Sequence, residues 1–336
     1  LIDFREKWLK ELSEGKNIEP IHLVFVEEPE AHLHAQAQQV FVKKAFEALC
    51  NNKLIEENPW LSTQLVLSTH SNHVVNELDL NCMRYFKRVI DVGEKIPVSK
   101  VVNLSSTFGT DDETKQFVTR YICLTHCDIF FSDAVVLVEG PAEKILVPSF
   151  LVKAGLDSYY ISVIEVNGRH AHSFRKLIEK IGIAALIVTD IDATDTKVGE
   201  DGKEIHPSVI TAKGNGYKTG NPSIKSWLSG KEQIDDLLAL DEKEKLVNNV
   251  RIAFQTPVNV KWDKNKDELT EVCPYTFEDA LIFTNLELFR REGLKKMGAI
   301  TTIANLLKHS NSANELQNKI FKKLESKSGF QKADFA

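Results

Sequence analysis

Two short runs of apolar residues, each followed at once by acidic residues, constrain the fold of this chain more than any other feature. The first run, Ala134–Val138, leads directly into Glu139, and the second, Ile183–Val188, is separated from Asp190 by Thr189 alone. Predicted helices and a third predicted strand, Tyr159–Val166, fill the stretch between them. Fully apolar strands that alternate with helices are typical of a parallel sheet covered on both faces. The sequence therefore predicts an α/β fold for this part of the chain.

The acidic residues at these strand ends are candidate metal ligands. Glu139 ends the first strand, Glu143 lies one turn later on the next helix, and Asp190 and Asp192 share one side of an extended strand end. Ligands of open α/β sheets bind at this edge, where four carboxylates would repel one another and raise each other's pKa. Two Mg²⁺ or Mn²⁺ ions would relieve the repulsion, activate water and stabilise the leaving oxygen of a phosphodiester. Taken alone, Glu143 also fits an ordinary first-turn helix acid.

Both motifs resemble those of a known fold. Ala134–Glu143 resembles the opening motif of Toprim domains, which topoisomerases, primases and OLD (overcoming lysogenization defect) nucleases share, and Ala184–Asp192 resembles their D-x-D motif. Thr276–Leu281 is similar to a further acidic motif of the OLD nucleases. This resemblance implies Glu278 as another metal ligand, with Asp279 as the less favoured choice. An exposed helix acid is the equal alternative for Glu278.

The end of the chain carries one more resemblance. Gln331–Ala336 resembles the terminal K-x-x-F-A pattern of the OLD nucleases, which implies that Lys332 stabilises the charge developing on the scissile phosphate. Lone lysines are usually solvated, so this role depends on the family pattern alone. A topoisomerase would also need a tyrosine nucleophile from another domain, and no comparable domain is visible in the sequence. Hydrolysis by water is therefore the better interpretation.

An acidic strand end also occurs near the start of the chain. The apolar run His22–Val26 leads into Glu27, Glu28 and Pro29, which resemble the Walker B strand of ABC-type ATPases. The resemblance implies that Glu27 holds Mg²⁺ through water, although this family usually has Asp there, and that Glu28 orients and deprotonates the attacking water. A second strand ends at His70, which matches the switch histidine that senses the γ-phosphate of ATP. Solvated carboxylates after a strand are the alternative for a lone Glu pair.

A phosphate-binding G-x-x-x-x-G-K-[ST] motif is missing from the sequence. Without such a motif a chain cannot bind ATP in the ordinary way. Since the sequence starts with Leu1 rather than Met, we expect the motif upstream of it, with ATP and Mg²⁺ bound there. A degenerate ATPase fold used for dimerisation is the alternative.

Length and composition agree with two domains and add few constraints on function. We predict the C-terminal segment of an ABC-type ATPase domain over 1–132 and a Toprim domain over 133–336, with a helical insertion at about 194–275. The formal net charge of −6 does not indicate the basic surface that is typical of nucleic-acid-binding proteins. The lysines between 197 and 231 most simply keep a loop soluble, and contact with DNA phosphates is the alternative. Five cysteines in no disulfide pattern, without a signal peptide or a membrane span, indicate a cytoplasmic protein.

The resemblance implies a metal-dependent endonuclease that cleaves double-stranded DNA, is regulated by an ATPase and takes part in antiphage defence. It also implies a homo-oligomer and a partner protein of the defence system. One alternative is a non-catalytic ATPase and Toprim scaffold, or a regulatory subunit of a defence or DNA-repair complex. A topoisomerase or primase-like enzyme is the third hypothesis.

Overall fold

The computed structural model describes residues 1–90, 93, 95–108, 112–122, 127–263, 267–290 and 298–325. The chain divides into two compact units, Leu1–Phe131 and Ser132–Ala336. None of the helices within the described ranges is long and apolar enough to cross a membrane.

The first unit combines a parallel strand pair, an antiparallel hairpin and helices. Its helices are α1 (Ile2–Ser13), α2 (Ala35–Cys50), α3 (Lys53–Glu57), α4 (Asn72–Val75) and α5 (Asp112–Tyr121). Its strands are β1 (Ile21–Glu27), β2 (Ser62–Ser68), β3 (Arg84–Val89) and β4 (Val98–Asn103). Short 3-10 helices span Pro29–His32, Leu80–Cys82, Leu104–Ser106 and Cys127–Phe130.

Strands β1 and β2 pair in parallel, in a register that sets Glu27 opposite Ser68. The two predicted strand ends therefore lie at the same edge of this pair. Helix α2 packs against β2 through its apolar stripe, in which Val42, Ala45 and Leu49 are buried. On β1 the side chains alternate: Val24 is buried, whereas Phe25 is 70% exposed.

The second unit contains a five-stranded sheet, three small two-stranded sheets and a helical subdomain. Its helices are α6 (Pro141–Lys153), α7 (Arg175–Ile181), α8 (Pro222–Trp227), α9 (Ile234–Ala239), α10 (Phe277–Thr284), α11 (Leu286–Phe289), α12 (Gly298–Lys308) and α13 (Ala313–Glu325). Its strands are β5 (Ala134–Val138), β6 (Ile161–Glu165), β7 (Ala184–Val188), β8 (Ala193–Thr194), β9 (Lys197–Val198), β10 (Glu204–Ile205), β11 (Lys218–Thr219), β12 (Leu246–Val247), β13 (Val250–Ala253), β14 (Val258–Lys261) and β15 (Leu269–Val272). A 3-10 helix, Ala171–Phe174, precedes α7.

The main sheet has the strand order β12-β13-β7-β5-β6. Strands β13, β7, β5 and β6 are parallel, and β12 is an antiparallel edge strand. The central strands are apolar on both faces, with Leu137, Ile164, Ile187 and Ile252 almost fully buried. The predicted parallel α/β sheet is thus confirmed, and it sets the carboxyl ends of β5 and β7 side by side.

The region after β7 differs in part from the prediction. Strand β8 directly follows the D-x-D motif in the sequence and pairs with β11. Near β11, Thr219, Asn221 and Ser223 are completely buried. This part of the insertion therefore belongs to the core of the unit. The insertion, which was predicted to be helical, is helical only in part, because strand β12 follows helix α9.

A second apolar core lies under α10 to α13, where Ile282, Ile303, Leu316 and Ile320 are fully buried. The antiparallel pair β14 and β15 contributes Val260 and Val272 to the same core. This core supports the start of α10, which carries the third acidic motif.

Candidate functional site

Glu139 directly follows β5 and connects the ends of two neighbouring strands. Its Oε1 atom accepts hydrogen bonds from the Thr189 hydroxyl, the Asp190 peptide N–H at 3.3 Å and the Asn221 amide at 3.0 Å. The Glu139 carbonyl accepts the N–H of Gly168 at 2.8 Å. The structure therefore brings the two predicted strand-end motifs together through direct contacts.

Asp190 is buried and is held by two segments that are far away in the sequence. Its Oδ1 atom accepts a hydrogen bond from the Gln255 amide at 2.7 Å and from the Phe277 peptide N–H at 2.9 Å. Gln255 comes just after β13, and Phe277 begins α10. The first acid of D-x-D and the third acidic motif therefore meet at one edge of the sheet.

Asp192 is buried too, and its backbone is in the left-handed region with φ of +48°. This conformation is costly for a residue with a Cβ and persists only where neighbours enforce it. Here the Gly220 N–H donates to the Asp192 carbonyl at 2.7 Å, and the Asn221 amide donates to Oδ2 at 3.0 Å. The Arg169 guanidinium, about half exposed, contacts the same oxygen at 2.9 Å.

Glu143 lies in the first turn of α6 and is only 4% exposed. Gly140 caps this helix, and a Cβ at Gly140 would lie 3.2 Å from Glu143 Oε2. Glycine therefore allows the side chain to fold back against the turn. A helix acid that serves only the helix dipole needs no burial, so the buried position favours a role in the site.

The two adjacent acids of α10 have different environments. Asp279 closes a capping box with Thr276 and accepts the N–H groups of Tyr275 and Thr276 at 2.8 and 2.7 Å. Burial, to which the neighbouring Glu278 charge adds, raises the pKa of Asp279 to about 7, against the effect of these hydrogen bonds. Asp279 is thus engaged in capping its own helix. Glu278 is completely buried in the same turn, which excludes the interpretation as an exposed helix acid.

The chemistry of these side chains fits a hard divalent cation. Glu139, Glu143, Asp190, Asp192 and Glu278 offer only oxygen donors, and four of the five are nearly inaccessible to water. Buried carboxylates at this density require a counter-charge. Within the described ranges, however, no three His, Cys, Asp or Glu side chains are grouped closely enough to hold a metal ion. Metal binding would therefore need changes of side-chain rotamer.

Four polar residues of this site were missed by the sequence reasoning: Arg169, Thr189, Asn221 and Gln255. Asn221 precedes Pro222, and Asn followed by Pro is a helix-start signal that predicts its capping role. Its contact with Glu139 spans 82 residues of sequence, and no local pattern reveals such a contact. Lys332, the predicted electrostatic stabiliser, lies outside the described residues.

In the first unit, the predicted nucleotide-site residues lie at the shared edge of β1 and β2. Glu27 ends β1, and Glu28 has a left-handed backbone with φ of +42°. The His70 Nε2 atom lies 3.7 Å from Glu28 Oε1, with the two side chains 81% and 52% exposed. The structure therefore brings Glu28 and His70 near each other, in contact with solvent.

Glu30 connects the two strand ends more firmly than Glu28 does. Its Oε1 atom accepts the Thr69 hydroxyl at 2.9 Å and the His70 peptide N–H at 2.6 Å. Burial alone would raise the pKa of Glu30, but the hydrogen bonds from His70 and Thr69 outweigh it and hold this pKa below its usual value. Glu30 thus positions the backbone that carries His70.

Part of each unit matches a known protein family. Residues 130–192 match the family described as overcoming lysogenization defect protein-like, TOPRIM domain, and residues 4–75 match the AAA ATPase domain family. The chain carries an OLD-like Toprim domain. This Toprim domain contains Glu139, Glu143, Asp190 and Asp192 within the matched residues, and the AAA-type segment contains Glu27, Glu28 and His70.

Two curated relatives are named endonuclease GajA. The one from Bacillus cereus strain HuB5-5 is 28% identical over 347 residues, which cover 100% of this chain and 47% of that protein. The one from Bacillus cereus strain VD045 is 23% identical over 77% of this chain and 37% of that protein. The chain therefore spans less than half the length of these relatives.

Two solved structures also resemble the chain. The C-terminal region of the Burkholderia pseudomallei OLD protein is 18% identical, with a TM-score of 0.31 over 61% of this chain and 85% of that one. The C-terminal region of the Xanthomonas campestris pv. campestris OLD protein is 20% identical, with a TM-score of 0.29 over 62% and 82%.

Proposed function

We propose that this chain is the nuclease-bearing part of a divalent-metal-dependent DNA endonuclease regulated by its ATPase domain. The observation that carries the proposal is the meeting of three acidic motifs at one sheet edge: Glu139 contacts the Asp190 backbone, and Asp190 contacts the start of α10. The names of the two GajA relatives support endonuclease activity, and by the same likeness we propose a role in antiphage defence. Double-stranded DNA is the proposed substrate.

Each acidic residue has a distinct part in this proposal. Glu139, Asp190 and Asp192 are the metal ligands of the strand ends, and Glu143 and Glu278 complete the set. Bound Mg²⁺ or Mn²⁺ ions would supply an activated water and stabilise the leaving oxygen of the phosphodiester. Lys332 is assigned to the charge of the scissile phosphate.

The protein's own hydrogen bonds prepare these carboxylates for that task. One oxygen of each is fixed by a neighbour: Glu139 by Thr189, Asp190 by Gln255 and Asp192 by Asn221. Such hydrogen bonds orient ligating carboxylates and tune their affinity for metal.

The ATPase segment is proposed to regulate access of DNA to this site. Glu27 would hold Mg²⁺ through water, Glu28 would orient the attacking water, and His70 would sense the γ-phosphate. Glu30 keeps the His70 backbone in place through its 2.6 Å hydrogen bond. A homo-oligomer and a partner protein of the defence system belong to the same proposal.

A non-catalytic scaffold remains the second candidate because of one observation. No three potential ligand side chains in the described ranges are preassembled for a metal. A scaffold of this kind would keep its fold in the presence of metal and leave DNA intact.

Cleavage of supercoiled plasmid by the purified chain, with Mg²⁺, Mn²⁺, Ca²⁺ or EDTA, tests the proposal. We expect nicked or linear product with Mg²⁺ or Mn²⁺, none with EDTA, and none with a folded Asp190→Ala variant. The matched control is Asp236→Ala, which removes an exposed aspartate of the same unit and should cut like the wild type. Metal-independent cutting, or full activity in Asp190→Ala, would refute the site; an intact plasmid under every condition would favour the scaffold.

A further inference from the structure

We infer that Asn221 is a positioning residue that holds the two strand-end acidic motifs together and thereby sets the metal affinity of the site. The inference rests on the proposed metal-dependent function and assigns part of the site to the insertion. Asn221 is completely buried and lies 29 residues after Asp192 and 82 residues after Glu139.

The side-chain amide of Asn221 donates toward four acceptors around one nitrogen. Its Nδ2 atom lies 3.0 Å from Glu139 Oε1, 2.8 Å from Thr189 Oγ1, 2.8 Å from the Asp190 carbonyl and 3.0 Å from Asp192 Oδ2. Because the two carboxylate oxygens are each 3.0 Å from the same atom, they can be at most twice that distance apart. A single neutral donor thus brings two like charges together.

The orientation of this amide is fixed by two peptide N–H groups that face its oxygen atom. The Oδ1 atom of Asn221 accepts the N–H of Ser223 at 2.9 Å and of Ile224 at 3.4 Å, and so caps α8. A flipped amide would point its hydrogens at these donors and its oxygen at two carboxylates. The hydrogen-bond network therefore permits only one assignment of oxygen and nitrogen.

The segment that carries Asn221 is anchored to the D-x-D strand. The Thr219 hydroxyl donates to the Ile191 carbonyl at 2.7 Å and accepts the Asn221 N–H at 3.0 Å. A Cβ at Gly220 would approach Thr194 Cγ2 to 2.9 Å and the Asp192 carbonyl to 3.4 Å, so glycine is needed for this close passage. The insertion thus returns to the site and places one amide between its acids.

An amide in this position has a physical advantage over a charged group. A lysine or arginine at this position would add a second positive charge to that of Arg169 and compete further with the metal, whereas an amide fixes one oxygen of each carboxylate without adding charge. Outer hydrogen-bond partners of ligating groups typically contribute 10–100-fold to metal affinity. Asn221 is placed to make a contribution of this kind to both motifs at once.

The substitution Asn221→Ser separates positioning from helix capping. Serine is as good a helix N-cap as asparagine, so α8 keeps its cap, but serine has no amide to reach Glu139 and Asp192. We expect the affinity for Mn²⁺, titrated by calorimetry in the absence of DNA, to fall about 10–100-fold. The matched control is Asn52→Ser, the same change at the N-cap of α3 in the first unit, which should bind Mn²⁺ like the wild type.

The outcomes distinguish the inference from the proposed function. Wild-type affinity in a folded Asn221→Ser protein would overturn the role of Asn221 alone. A wild-type chain that binds no Mn²⁺ would overturn the metal site and this inference with it.

If Asn221→Ser does not fold, Asn221→Thr provides the test, because threonine is close to asparagine in volume and can cap a helix but has no amide to reach Glu139 and Asp192. A bound ion raises the melting temperature by more when its affinity for the native protein is higher. We therefore expect Mn²⁺ to raise the melting temperature of Asn221→Thr by less than it raises that of the wild type. An equal rise in both proteins would contradict the inference.

Discussion

The two units place acidic residues at the ends of parallel strands in opposite surroundings. At the edge of β1 and β2, Glu28 and His70 are 52% and 81% exposed. At the edge of β5 and β7, Asp190 and Asp192 are buried and tied to residues from three other segments. The same motif, a strand followed by acidic residues, therefore lies in two different environments. In the first unit Glu28 and His70 form an exposed edge, called the open edge below. In the second unit Glu139, Asp190 and Asp192 form a largely buried group, called the enclosed cluster.

The strands that carry these acids differ in the same way. Four of the five side chains of β5 are buried, whereas on β1 only Val24 is buried. A carboxylate at the end of a covered strand loses water and needs a counter-charge, but an exposed one keeps its hydration. Of the two edges, only that of the second unit therefore concentrates several buried carboxylates among its described residues, and this favours a bound metal there.

The largest expected difference concerns metal binding. Glu139→Gln removes a charge from the enclosed cluster and should weaken Mn²⁺ binding by more than about 100-fold, since loss of an outer partner alone costs 10–100-fold. The matched Glu28→Gln change at the open edge should leave that affinity unchanged when nucleotide is absent. Calorimetric titration with Mn²⁺ measures the affinity of both variants. An equal loss of affinity in both would contradict the conclusion that the metal binds at the edge of β5 and β7.

The second prediction concerns the strands themselves. Leu137→Ala creates a cavity in the covered sheet and should lower the free energy of unfolding by about 2–5 kcal/mol. Phe25 is 70% exposed, so Phe25→Ala should change that free energy by less than about 0.5 kcal/mol. Urea denaturation followed by circular dichroism measures both values. A loss for Phe25→Ala as large as that for Leu137→Ala would show that β1 is covered in solution.

The third prediction uses the raised pKa of Asp279. Because the folded state holds this proton up to about pH 7 and the unfolded state releases it near pH 3.8, the stabilising contribution is complete at low pH and is lost as the pH rises to about 7. The melting temperature of the wild type minus that of Asp279→Asn, which does not titrate at this position, should therefore decrease as the pH rises across this window. Differential scanning calorimetry from pH 4.5 to 8 measures it, and a constant difference would contradict the assignment.

The smallest effect is expected at Glu30, where the pKa shift has the opposite sign. A lowered pKa means that the stabilising contribution is present above the ordinary pKa of 4.5 and is lost as the pH falls through the lower value of the folded state. Glu30→Gln should thus lower the melting temperature slightly at neutral pH and have no effect in acid. A destabilisation that grows in acid would be inconsistent with this hydrogen-bonded carboxylate.

Sequence reasoning succeeded where one physical signal dominated. The strand ending before Glu139 and the one ending before Asp190 were predicted from uninterrupted apolar runs, and these runs also fixed which edge carries the acids. The hairpin of β14 and β15 was missed because its short strands, Val258–Lys261 and Leu269–Val272, lie among polar residues.

The candidate site was predictable only in its acidic part. Carboxylates directly after buried strands form a local pattern, whereas the amides that orient them come from distant segments. Gln255 reaches Asp190 across 65 residues, and Asn221 reaches Glu139 across 82. These contacts are created by the tertiary fold, and the polar composition around Asn221 instead indicated a solvent-exposed loop.

Anomalous scattering from crystals of this chain soaked in Mn²⁺ is the sharpest test of the proposed metal site, because it locates the metal without relying on activity. We expect anomalous density within bonding distance of Glu139, Asp190 or Asp192, with the side chains turned toward it. The peak should be absent from crystals of a folded Asp190→Ala variant. Density confined to the open edge near Glu27 and Glu28, or no bound metal at the enclosed cluster, would show that Glu139, Asp190 and Asp192 do not form a metal site.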